Sequence, residues 1–338
     1  MFPKLIQKTA PLLFIGLLFT IFISASTYND PETKLEEAEK FYKSALFDKA
    51  IEILTGLSSD TSIDQEIQKD ALRFLGRAYV AKGLYDKAKD AMMKLLELEP
   101  PIISLNPDFE PPPLMKVYYD ARKTSSNSYE VEREDPGMKT MAIIDFKNRS
   151  IDQKERFDPM EKGFSDLFIH RLNNSTDLKV IERDRIQWIL EEIGIQDQYN
   201  MEGAVRMGKQ LGVHSVLLGS FIIFNDELWL GARLVKVETS EILLTDEIKG
   251  DVDEFYTLTE KLSNTIAEKI DVTLGGDDVN VTSETKSLEA LLAYSEGLTF
   301  LETGNYKGAY DKFIEALEFD PNYENARAKA ESIKPFTS

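Results

Sequence analysis

Three carboxylates could form an acid–base set: Asp145, Glu182 and Asp184. That chemistry needs two carboxyls at one substrate, one held protonated and the other ionised. Asp145 ends a short apolar run, where a turn or cap suits it. Glu182, Arg183, Asp184 and Arg185 fall together at a strand-to-helix junction. Adjacent charges there suit helix capping and ion pairs, with Asp184 in the first turn against the helix dipole. The two histidines, His170 and His214, belong to different predicted elements, one near a helix end and one just before a strand. That separation disfavours a shared metal. Gly163-Phe164-Ser165 lacks the second glycine of a nucleophile elbow. Asp277, Asp278, Asn280 and Glu284 lack the spacing and central glycine of a calcium loop. There is no phosphate loop and no cysteine. The expectation is a chain that is not an enzyme and carries no cofactor or metal.

A second set of residues points to docking rather than chemistry: Tyr85, Lys87 and Lys89, with Tyr306, Lys307 and Lys312. They sit at matching places in a helical hairpin that is written twice. Gly76, Tyr79, Gly83, Tyr85, Ala88, Met92 and Pro100 align with Gly297, Phe300, Gly304, Tyr306, Ala309, Phe313 and Pro321, at a constant offset of 221 residues. Small residues at Gly76 and Ala88 let two helices approach closely, and Gly83 breaks the chain between them. A looser copy runs through Ala38, Tyr42, Ala45, Phe47, Ala50 and Leu54. The pattern resembles the tetratricopeptide repeat over 69–100 and 290–323, and more loosely over 35–58. The resemblance implies protein docking. About three such repeats are needed for independent stability, so arms this short are expected to pack on a neighbouring domain or on each other. After the first arm, the prolines at 111–113 enter a helix carrying Val117, Tyr118 and Ala121, read as a cap.

Between the arms the pattern turns mixed. Strands are predicted at 141–146 and 178–181, and helices start near Met160, Asp184 and Ala204. Three strands follow at 215–224, 228–237 and 241–247, joined tightly as an antiparallel meander. Phe255, Leu258, Leu262, Ile266 and Ile270 then mark a final amphipathic helix. This is an α+β order, a mixed sheet with helices on it. The motifs at 142–146, 180–185, 190–192, 208–212, 218–220 and 233–243 resemble those of the CsgG family, over roughly 139–272. The family includes the curli secretion channel and is similar in fold to the TolB amino-terminal domain. The channel is anchored by a lipidated cysteine and spans the membrane with long hairpins. Here there is no cysteine, and Asn225, Asp226 and Glu227 alone join the first two meander strands. A spanning strand takes ~9–11 residues, so the resemblance implies the family's soluble core without its pore.

The formal net charge of −19 argues against nucleic-acid binding and against broad adsorption to anionic lipid. Lys4 and Lys8 precede an apolar run from Pro11 to Ile23, then Ser24, Ala25 and Ser26. That is the layout of an export signal, and its apolar core is short of the ~20 residues of a spanning helix. The expected organisation is a signal or anchor at 1–26, tetratricopeptide-like helices at 34–122, a linker at 123–138, the CsgG-like α+β domain at 139–272, a linker at 273–286 and helices at 287–335. The expected function is an exported, non-catalytic envelope adaptor in the periplasm, held to the inner membrane by residues 10–26 or associated with the outer membrane. Its partners are proteins, with a homo-oligomer also compatible. The rival readings are a subunit of a curli-type secretion system and an enzyme.

Overall fold

The structure is a computed structural model that describes residues 30–98, 105–107, 109–130, 137–151, 153–173, 177–194, 199–274 and 284–337. The export-type segment 1–26, Pro100, and Asp277, Asp278 and Asn280 lie outside these residues.

Four helices build the N-terminal arm: α1 (Pro31–Lys43), α2 (Phe47–Ser59), α3 (Gln65–Ala81) and α4 (Tyr85–Leu98). Each presents small residues to its neighbour, with Ala38, Ala50, Ala71, Ala78 and Ala88 all fully buried. The helices therefore pack with backbones close and larger side chains filling the flanks. At Gly76 an added methyl would lie 2.7 Å from Met92 Cε and 2.8 Å from Leu114 Cδ1. The equivalent Gly297, in α11 (Leu288–Glu302), meets Phe313 of α12 (Tyr306–Phe319) at 2.5 Å. The hairpin turns match too, because Gly83 and Gly304 adopt left-handed φ values of 70° and 72°. Only glycine enters that region without a steric penalty.

The looser copy breaks this rule. Ala45, at the turn equivalent to Gly83, also has a positive φ, 57°. An L-residue there carries roughly 1–2 kcal/mol of strain. Ala45→Gly is expected to stabilise the chain by about 0.5–1 kcal/mol, part of the relief being offset by glycine's greater unfolded entropy. A raised urea midpoint at unchanged slope would show it. An unchanged or lower midpoint would refute it.

The central region is a six-stranded sheet in the order β3-β1-β4-β5-β6, with β2 attached to β4. Its strands are β1 (Lys139–Ile143), β2 (Lys147–Asn148), β3 (Leu178–Ile181), β4 (Ser215–Phe224), β5 (Glu227–Lys236) and β6 (Ile242–Asp251). β1 pairs in parallel with β3 and β4, and β4-β5-β6 form the antiparallel meander. Asn225 and Asp226 alone turn β4 into β5, with φ 49° and 61°, and Phe224 pairs with Glu227. Two positive φ values in a two-residue loop match the twist of the flanking strands. β6 runs four residues past its predicted end. Its outer half alternates Asp246, Glu247, Lys249 and Asp251 at an edge, so no apolar face marked it as strand.

Helices cover both faces. α7 (Met160–Leu172) and α10 (Phe255–Lys269) pack on one through Phe164, Phe168, Leu258 and Leu262, the predicted stripes. A one-turn helix α6 (Lys154–Phe157) near β2 adds Phe157 to that same layer, and α8 (Arg183–Ile193) and α9 (Met201–Leu211) cover the other face. The arms continue these layers. α5 (Pro112–Ser126) shares one core with α3, α4 and α8. It caps the repeats and also bridges them to α8: Tyr119 packs on Trp188 at 5.6 Å, and Lys123 pairs with Glu192 at 2.5 Å. Beyond it, Tyr129 packs on Trp188 at 5.5 Å. On the opposite layer α11 crosses α7 at Gly163, where a side chain would overlap the Ser295 hydroxyl. α13 (Glu324–Ile333) then reaches the first arm, with Lys329 Nζ donating to the Pro107 carbonyl at 2.9 Å. The arms thus pack both on the core and on each other, as their shortness required.

Candidate partner-docking cleft

A buried ion network fastens the C-terminal arm to the core. Asp145 follows β1 and Arg183 opens α8, so the parallel β1–β3 pairing sets them side by side. Arg183 donates Nε–H to Asp145 Oδ1 at 2.8 Å and Nη2–H to Oδ2 at 2.9 Å, a bidentate fork. The same guanidinium also bonds Glu302 at the end of α11. Lys162 lies 3.6 Å from Asp145 and 2.7 Å from Glu302, and Ser165 Oγ–H donates to Asp145 at 3.0 Å. Burial pushes the Asp145 carboxyl up, but the Arg183 charge and hydrogen bonds, then Lys162 and Ser165, hold it below the usual carboxylate range.

A second tie lies one helical turn further along α7. Tyr294 O–H donates to Asp166 at 2.8 Å, and His170 Nε2 is 3.5 Å from the same carboxylate. Burial opposes ionisation there, yet His170, Lys329 and Tyr294 hold Asp166 down to about 2. Arg171 reaches Glu284 at 2.8 Å, just ahead of α11.

These contacts reassign the acid–base candidates. Asp145 serves neither as a turn nor as a cap; its carboxylate is taken up by Arg183. Glu182 is the N-cap residue of α8 but makes no side-chain cap bond, and Asp184 occupies the first turn. Asp145 is buried in its ion pair, whereas Asp184 is 28% exposed. His170 and His214 are apart: His214 Nδ1 lies 3.0 Å from the Thr140 amide, on the sheet. Among the described residues there is no cluster of three or more His, Cys, Asp or Glu able to hold a metal.

Above the network lies an open cleft of about 710 Å³ where both arms meet α8. Its walls include Tyr85, Tyr119, Trp188 and Tyr306. Tyr85 and Tyr306, the same repeat position in two copies 221 residues apart, therefore come to one place. Tyr85 is 53% exposed, while Tyr306 is half-buried against Phe336 at 5.4 Å. Burial, with the neighbouring Tyr85 phenol, pushes the Tyr306 hydroxyl above its ordinary pKa.

The four lysines proposed with these tyrosines do not line this cleft. Lys87 lies over the Tyr79 ring at 5.8 Å, and Lys89 is half-buried on α4. Lys307 pairs with Asp311, and Lys312 with Glu296 and Glu315 at 2.6 and 2.7 Å.

The cleft has residues that the repeat pattern did not supply. Asp184, Gln187, Trp188 and Glu191 stand at i, i+3, i+4 and i+7 on α8, one helix face. That stripe was readable in the sequence, although its partners were not. Trp188 N–H donates to Asp120 at 2.8 Å, which fixes the indole beside the opening.

Comparison with known families matches residues 124–229 to "Curli production assembly/transport component CsgG" and residues 71–101 to "Tetratricopeptide repeat". The first match begins in the last turn of α5 and ends inside β5. Comparison with curated proteins gives no match. Among solved structures, TolB from Acinetobacter baumannii is 11% identical with a TM-score of 0.27, over 39% of this chain and 28% of TolB. The LpoB C-terminal domain from Salmonella enterica is 12% identical (TM-score 0.27), over 38% of this chain and 91% of that one. Lipoprotein GNA1162 from Neisseria meningitidis is 13% identical (TM-score 0.29), over 38% and 96%. Scores this low add nothing to the fold described above, which rests on strand order and register. One segment of the chain thus matches the CsgG family and another the tetratricopeptide repeat.

Proposed function

We propose that this chain is an exported, non-catalytic adaptor of the cell envelope that holds a protein partner where its helical arms meet the CsgG-type core. The observation that carries the reading is the convergence of Tyr85 and Tyr306, from separate arms, on one cleft. Tyrosine suits such a place, giving a large rigid contact area with a polar tip at small entropic loss. The sheet connections favour an adaptor over a channel subunit. β4 turns into β5 through two residues, and β6 passes through a 3-10 turn at Val252–Glu254 into α10. Neither leaves a spare strand pair. No described helix is long and apolar enough to cross a membrane, so any bilayer attachment is assigned to residues 1–26 or to the partner.

Crosslinking of intact cells with mass spectrometry, joined to sequencing of the mature N-terminus, tests this. The expected result is partner peptides joined to lysines of the arms, such as Lys116, and a mature chain that starts close after Ser26. Partner peptides joined only to the outer sheet, at Lys249 for example, would overturn the docking site. An N-terminus at Met1 would overturn cleavage and favour the membrane anchor.

A further inference from the structure

The cleft is lopsided in charge. Its lining holds the carboxylates of Asp120, Asp184, Glu191 and Glu302 against one lysine, Lys116. Two of the four are neutralised at close range, Glu191 by Lys116 at 2.8 Å and Glu302 by Lys162 at 2.7 Å. The other two are compensated less closely: Asp120 accepts the Trp188 indole N–H, a neutral donor, and Asp184 meets its cation, Lys329, only at 3.8 Å. Beside these acids stand the ring of Tyr85, largely in solvent, and that of Tyr306. Pro112 and Leu301 supply the apolar surface between them.

Such a lining discriminates by sign. A carboxylate bearing only a neutral hydrogen bond attracts a cation, and an aromatic face adds to the attraction. The aliphatic stem of a lysine or arginine would cover Pro112 and Leu301 while its head reaches the acids. The net charge of −19 would steer a basic partner toward this surface and repel an acidic one.

We infer that the cleft receives an extended segment of the partner protein bearing lysine or arginine, its cationic head held by Asp120 and Asp184 and its stem lying between Tyr85 and Tyr306. This rests on the adaptor reading and adds to it the chemistry of the partner.

The chain has two tryptophans, Trp188 in the cleft and Trp229 on β5. The full chain carrying Trp229→Phe therefore reports on the cleft through Trp188 emission. It is titrated with a short peptide alternating lysine and leucine, with the counterpart carrying glutamate for lysine, and with spermidine. Saturable binding of the lysine peptide is expected, weakening as salt is raised. The glutamate peptide should bind at least about tenfold more weakly. Asp120→Asn with Asp184→Asn should weaken the lysine peptide by a similar factor while unfolding stays a single cooperative transition with only a small fall in midpoint, since asparagine still accepts the indole N–H and Asp184 gives up a pair at 3.8 Å. Equal binding of the two peptides, or no effect of the double substitution, would overturn the inference. Spermidine binding as tightly as the lysine peptide would overturn the peptide as occupant. Failure here, with arm-directed partner crosslinks still found in cells, removes only the basic segment. Loss of those crosslinks as well removes the adaptor reading.

Discussion

Arg183→Ala is expected to destabilise the chain by about 3 kcal/mol, because it leaves the Asp145 carboxylate buried without its bidentate partner. Asp145 is 3% exposed and Arg183 8%, so water cannot take over the missing bonds. Lys162 at 3.6 Å retains part of the compensation, which places the expected loss at the lower end of the ~3–5 kcal/mol typical of broken buried pairs. The Glu302 contact is lost with the guanidinium, so the C-terminal arm loosens at the same time. The double variant Asp145→Asn with Arg183→Met removes both charges and keeps the volume. It should be more stable than Arg183→Ala, the sign of a pair whose members matter mainly to each other. Urea midpoints measure both. A single variant within about 0.5 kcal/mol of wild type would contradict the assignment.

Gly219→Ala is expected to cost a similar amount, about 3 kcal/mol, at the upper end of overpacking effects. A methyl group there would overlap the Phe146 ring. That ring cannot move aside: it stacks on Phe168 at 4.9 Å and abuts Phe164, which abuts Phe221 at 5.0 Å. All four rings are fully buried. Adding Phe146→Leu should return part of the loss by opening space for the methyl, a non-additivity expected only of groups in contact. A single variant as stable as wild type would show that this part of the sheet is not packed as described.

The sequence revealed what is local. The constant offset of the two hairpins became matching φ values at Gly83 and Gly304, and matching close approaches at Gly76 and Gly297. Stripes such as Phe255 to Ile266 became buried faces of their helices. Shortness of the arms implied that they must lean on something, because a lone hairpin cannot bury its apolar face. Long-range pairing was illegible. Asp145 reads as a turn residue until β1 and β3 are set in parallel and bring Arg183 beside it. The outer half of β6 is polar and reads as loop; backbone pairing with β5 makes it strand. Tyr85 and Tyr306 are legible as matching repeat positions, yet nothing in either hairpin says that they share a cleft. Trp188 gives no separate signal, because the apolar stripe of α8 is complete with Ile186, Ile189 and Leu190.

On the proposed function both arms act together at one partner site on the central α+β region. Partner recovery after crosslinking in cells, compared between wild type and the Tyr85→Ala, Tyr306→Ala double variant, tests it most directly. Both tyrosines are partly exposed, so the fold should survive, and circular dichroism checks that it does. A fall in recovery of about tenfold or more is expected for the double variant, and no change for Lys307→Ala with Lys312→Ala. Undiminished recovery with the two tyrosines removed would contradict it.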